Sequence, residues 1–107
     1  MSDNTFRINF TVDVNDSKYF YDYNLSQNFP NPFNPLTRIG FTIPERSYVK
    51  LYVYNSLGEN IAVLEDSFKE VGYCETEFDG SNLPSGIYFY TLSTDNFIST
   101  NKMILLK

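Results

Sequence analysis

A chain of 107 residues, 42% hydrophobic and 20% charged, is of a length and composition to form one globular domain with a single two-layer core. Its net charge of −5, with no Lys/Arg cluster, excludes tracking of a phosphate backbone and a polybasic membrane anchor; its apolar runs of a few residues exclude a membrane-spanning helix. The chain contains no His, and Cys74 is its one cysteine, so the commonest general base, the commonest transition-metal ligand and any internal disulfide are absent.

With 9 Tyr, 10 Phe and no Trp, beside many Asn, Ser and Thr, the residues suit pleated, half-buried strands joined by tight turns. Thr5 to Val14 alternates without a break: Phe6, Ile8, Phe10, Val12 and Val14 on one face, Arg7, Asn9, Thr11 and Asp13 on the other. A period of two over ten residues predicts a strand. Asn15 to Asn24 reads as a linker whose aromatics, Tyr19 to Tyr21 and Tyr23, rest on a surface; residues 1–24 thus form an N-terminal strand and aromatic linker ahead of a domain at 25–107.

Three prolines within Gln27 to Pro35 disfavour helix and predict an extended, turn-rich segment, held by Phe29 and Phe33 inserting into the core. Strands are then expected at Thr37 to Ile43, with Ile39, Phe41 and Ile43 on one face, and at Ser47 to Tyr54, with Val49, Leu51 and Val53 inward. Asn55 to Gly58 reads as a hairpin turn, with Gly58 suited to positive φ, and Glu59 to Leu64 as the returning strand. Glu65 to Glu70 has room for one helical turn at most. Beyond Gly72, Tyr73 to Phe78 places Cys74, Thr76 and Phe78 on one face, where Cys74 acts as a small hydrophobe. After the turn residues of 79–86, Ile87 to Ser93 is apolar in both phases, the pattern of a central strand covered on both sides. Phe97 to Leu106 is the last strand. Some seven short strands at this spacing predict an antiparallel β-sandwich, with the N-terminal strand as an extra.

Little catalytic chemistry is available. No Gly-x-Ser-x-Gly elbow, phosphate-cradling loop or dinucleotide fingerprint occurs, and Cys74 has no imidazole to activate it. Glu75 and Glu77 share a strand face and read as its solvated side. Asp13, Asn15 and Asp16 offer oxygens to a hard cation, but the spacing is not that of a calcium loop and linker polarity is the better reading. Asn9, Asn15 and Asn24 open formal glycosylation sequons, read as coincidence. No enzymatic activity, cofactor, metal or nucleic-acid partner is expected.

Four motifs carry a family resemblance. The run Leu25-Ser26-Gln27-Asn28-Phe29-Pro30-Asn31-Pro32-Phe33-Asn34-Pro35 resembles the entry motif of the type A sorting domain of the type IX secretion system. Val53-Tyr54-Asn55-Ser56-Leu57-Gly58 is similar to that family's strand and Leu-Gly turn, Leu83-Pro84-Ser85-Gly86-Ile87-Tyr88-Phe89-Tyr90 to its Pro-Ser-Gly-aromatic strand, and Asn101-Lys102-Met103-Ile104-Leu105-Leu106-Lys107 to its terminal strand. The resemblance covers Leu25 to Lys107 and implies an immunoglobulin-like sandwich of about seven strands, exported across the outer membrane of a Bacteroidetes-related bacterium to the cell surface or beyond. It implies recognition by the secretion machinery through the terminal strand, Lys102, Met103, Ile104, Leu105, Leu106 and Lys107. It also implies, for many members, removal by a surface sortase that joins the cargo to a lipopolysaccharide.

Residues 1–24 lie outside that pattern, and three readings of them stand open. They are a remnant of a preceding module, so that the domain is a secretion or anchoring signal excised from a larger cargo. Or residues 5–14 are an eighth strand closing an edge of the same sandwich. Or the chain is a structural subunit that donates Phe6, Ile8, Phe10, Val12 and Val14 to a neighbour's open edge and so assembles head to tail into a filament. Met1 to Asn4 does not form a signal peptide, so an export signal is expected to precede this numbering.

Overall fold

The computed structural model describes residues 21–107. The alternating stretch 5–14, with Phe6, Ile8, Phe10, Val12 and Val14, the cation-ligand candidates Asp13, Asn15 and Asp16, and the sequons at Asn9 and Asn15 all lie outside the described residues.

Seven strands follow one another in the chain: β1 (Asn24–Leu25), β2 (Leu36–Ile43), β3 (Ser47–Asn55), β4 (Asn60–Lys69), β5 (Gly72–Asp79), β6 (Gly86–Ser93) and β7 (Ile98–Leu105). They form two antiparallel sheets, ordered β1-β2-β5 and β4-β3-β6-β7, and no helix occurs among the described residues. The sandwich is the one the strand count predicts. Its core is built by alternation: Ile39, Phe41 and Ile43 of β2 face Val49, Leu51 and Val53 of β3, all fully buried. Tyr88, Tyr90 and Leu92 of β6 and Met103 and Leu105 of β7 complete it, with Phe33 and Phe78 packed edge to face at 6.0 Å. Each large side chain so placed contributes about 1.5–3 kcal/mol relative to exposure. Cys74 is half-buried against this cluster, as a small hydrophobe on β5.

The Asn55–Gly58 turn closes as its residue types require. Asn55 Oδ1 accepts from the amides of Leu57 and Glu59 at 3.0 Å each, and Gly58 lies at φ +84°. Gly58→Ala is therefore expected to lower stability by about 1 kcal/mol, read as a shifted urea midpoint at unchanged slope.

Three expectations are corrected. First, the returning strand does not end at Leu64; β4 runs on to Lys69, paired along β3 as far back as Ser47, through the stretch left room for a helical turn. Its periodicity is unreadable because Leu64 and Ile61 are each an extra residue against β3, and each such bulge inverts the in–out phase. Second, β6 is central, between β3 and β7, but only one of its faces lies in the core; on the other, Ile87 is 45% exposed.

Third, Phe33 is buried as expected, but Phe29 is 79% exposed. Leu25 pairs with Phe41, and Phe29 with Arg38, so four steps along one strand meet three along the other. Without that bulge Phe29 would lie opposite Thr37 and point inward. With it, Phe29 shares the outward face of Arg38, and Asn28 turns into the core, 2% exposed.

The two flanks of the sandwich differ. On one, β4 and β5 are edge strands with no neighbour among the described residues. On the other, the segment 25–35 crosses from β2 to β7 and covers the edge.

Candidate functional site

The terminal segment Lys102–Lys107 is divided by alternation. Met103 and Leu105 are fully buried core residues, while Lys102, Ile104 and Leu106 point to the outer face of the four-stranded sheet, where Ile104 lies opposite Ile87 and Lys102 opposite Phe89.

The backbone edge of this strand is occupied. The amide of Phe33 donates to the carbonyl of Ile104 at 2.9 Å, and that of Leu106 donates to Phe33 at 3.0 Å, a short parallel bridge. Asn31 Oδ1 accepts from the amide of Ile104 at 3.0 Å, and Gln27 Nε2 donates to the carbonyl of Lys102 at 2.7 Å. Asn101 Nδ2 reaches the carbonyls of Leu25 and Ser26 at 3.1 and 3.2 Å. The proline-rich segment is thus a strap: it removes the donors and acceptors that an edge strand would otherwise offer to any passing strand. The prolines suit this role, since a segment that bonds through a few chosen groups needs few free amides of its own.

Beneath the strap lies a buried polar network that the sequence reading missed. Tyr90 Oη donates to the carbonyl of Ser26 at 2.6 Å and accepts from the amide of Asn28 at 2.8 Å. Asn28 Nδ2 donates to Thr37 Oγ1 and to the carbonyl of Pro30, both at 3.0 Å, and Thr37 Oγ1 donates to the same carbonyl at 2.9 Å. Burial raises the Tyr90 phenol above its ordinary pKa, so it stays neutral and keeps its donor. Tyr90→Phe orphans the buried Asn28 amide and is expected to cost about 1–3 kcal/mol, with faster hydrogen exchange along Gln27 to Phe33 as its signature. The one signal in the sequence was Thr37 at an inward strand position.

The last residues are tied to the loop before β6. The amide of Lys107 donates to Ser85 Oγ at 2.9 Å, its ammonium donates to the carbonyl of Ser81, and Tyr88 Oη donates to the carbonyl of Pro84 at 2.7 Å. Asp79 Oδ1 accepts from the amide and hydroxyl of Ser81; those bonds hold the carboxyl below its usual pKa, with the Lys107 charge as a smaller contribution. The Asn55–Gly58 turn adjoins the same loop across a groove lined by Leu57, Leu83, Pro84 and Tyr88. Four motifs separated by up to seventy-odd residues therefore converge around the terminal strand and its cap.

Elsewhere the polar side chains do structural work. Glu75 pairs with Arg38 at 3.0 Å and accepts from Tyr73, whose ring lies over Gly40. No group of three His, Cys, Asp or Glu among the described residues is placed to hold a metal ion.

These observations define a β-sandwich module whose chain terminus is built into an edge strand and capped by a proline-rich strap. The family model for the secretion system C-terminal sorting domain matches residues 27–106, and the chain belongs to that family. No curated protein matches the chain. Membership implies interaction with the type IX secretion machinery and export across the outer membrane to the cell surface or the extracellular space. The family is not one of enzymes.

Proposed function

We propose that residues 25–107 are a sorting signal that a type IX secretion machine reads on a folded domain, at the terminal segment Lys102–Lys107, to carry a preceding cargo across the outer membrane. The observation that supports this is the match over residues 27–106, which runs through the strap and ends within the terminal segment. In this reading Met103 and Leu105 anchor the strand in the core, and Lys102, Ile104, Leu106 and Lys107 offer the side chains that a receptor meets.

The test is fusion of the full chain to the C-terminus of a monomeric reporter carrying an export signal, in a bacterium with a type IX system. The reporter is expected at the cell surface or in the medium, and in the periplasm when residues 102–107 are removed. Periplasmic retention of the intact fusion would end the proposal.

A second reading is the subunit that assembles head to tail by donating residues 5–14. One observation favours it: among the described residues, β4 and β5 leave both sheet edges uncovered on one flank. The family match begins at residue 27 and lends it no support. Light scattering on the purified chain decides between them. A single 12.4 kDa species is expected, and a polymer lost on deleting residues 1–14 would restore the filament.

A further inference from the structure

The outer faces of the two sheets differ in the share of charge they carry. That of the three-stranded sheet is mixed: Arg38, Glu75, Glu77 and Asp79 lie on it in register, beside the exposed Phe29, Leu36 and Tyr73. That of the four-stranded sheet is apolar and aromatic. Val63, Phe68, Ile87, Ile98 and Leu106 on it are each 45–72% exposed, and Tyr54 stacks on Phe89 at 6.1 Å between them. Its strand positions carry one carboxylate, Asp66, which accepts from Tyr48 Oη at 2.7 Å, against two ammonium groups, Lys50 and Lys102. Among the described residues neither lysine forms a salt bridge. Lys50 stands opposite Asp66 and shares a groove with Asp95, so the face is close to charge-balanced, with Lys102 set apart at its border.

Resting on the sorting-signal reading, we infer that the machine docks on this whole face, through side chains, and does not add a strand to the edge of β7. Along the terminal segment the edge is taken: the strap bonds the carbonyls of Lys102 and Ile104 and the amides of Ile104 and Leu106. The face is available, and the outward side chains of the terminal segment, Lys102, Ile104 and Leu106, form one border of it. Four strands at about 4.8 Å spacing and eight residues at about 3.3 Å rise make a face of roughly 500 Å². Burying it against a partner removes about 1,000 Å² in total, at the lower limit for a specific contact and well short of the 2,000 Å² or more of an obligate dimer. That size suits a receptor that must release its cargo. The occupant is a receptor surface of the secretion machine, apolar at its centre and bearing a carboxylate where Lys102 arrives.

The experiment compares variants of the full-chain fusion in the type IX host. The double substitution Ile87→Glu/Lys102→Glu is expected to lower export at least tenfold while the melting temperature stays within a few degrees. Glu77→Lys, on the other sheet, is expected to leave export unchanged. Lys102→Gln keeps the test sound should the double variant fold poorly; it is expected to reduce export severalfold. Normal export of these face variants overturns the inference and leaves the sorting signal standing, whereas failure of the unsubstituted fusion removes both. A dimer of the purified chain that Ile87→Glu/Lys102→Glu dissociates without loss of export assigns the face to a second copy and overturns it. So does an apolar dye that binds only after residues 1–14 are deleted, which assigns the face to the chain's own N-terminal segment.

Discussion

Phe33→Ala is expected to cost about 3–5 kcal/mol, and the same substitution at Phe29, four residues earlier in the same motif, less than about 0.5 kcal/mol. Phe33 is 1% exposed and packs against Phe78 and Leu105, while Phe29 stands in solvent beside Arg38. For a domain of this size each kcal/mol shifts the melting temperature by about 4–8 °C, so the first variant is near the limit of folding and the second melts with the parent. The same substitution loosens the strap where its backbone meets Ile104 and Leu106. Amide exchange at Ile104 and Leu106 is therefore expected to accelerate more than that of β3, which is bonded on both sides. Equal effects of the two substitutions would contradict the bulge that sets their phase.

The second large effect separates two neighbouring leucines. Leu105→Ala is expected to cost about 2–5 kcal/mol because the side chain is fully buried against Phe33 and Gly80 and the cavity left behind cannot collapse. Leu106→Ala is expected to change stability by less than about 0.5 kcal/mol, since that side chain is 55% exposed. Export reverses the order of interest: Leu106→Ala folds as the parent does, yet is expected to be exported severalfold less well, because Leu106 borders the proposed docking face. Chemical denaturation reads the first contrast and the reporter fusion the second. A one-residue slip of β7 against β6 would exchange the two stability values.

Much of the core was legible in the sequence. Ile39, Phe41, Ile43, Val49, Leu51 and Val53 announced their faces because an uninterrupted strand has a period of two, and the period alone states which side is buried. The Asn55–Gly58 turn was equally legible, since a positive φ and a local side-chain cap depend on residues within four positions of one another. The candidate site was legible only as motifs. Nothing local in Gln27, Asn31 or Phe33 says that their partners are Lys102, Ile104 and Leu106, some seventy residues on.

By itself, then, the sequence determined the sandwich, the inward residues of β2, β3 and β5, the turn at Gly58 and the family. The tertiary structure decided the rest: that Phe29 faces out and Asn28 in, that β4 runs to Lys69, and that the strap closes the edge of the terminal strand. The physical reason is common to all three. A bulge is an extra residue counted against a partner strand, and a capped edge is a bond to a distant one; neither exists until two remote segments meet.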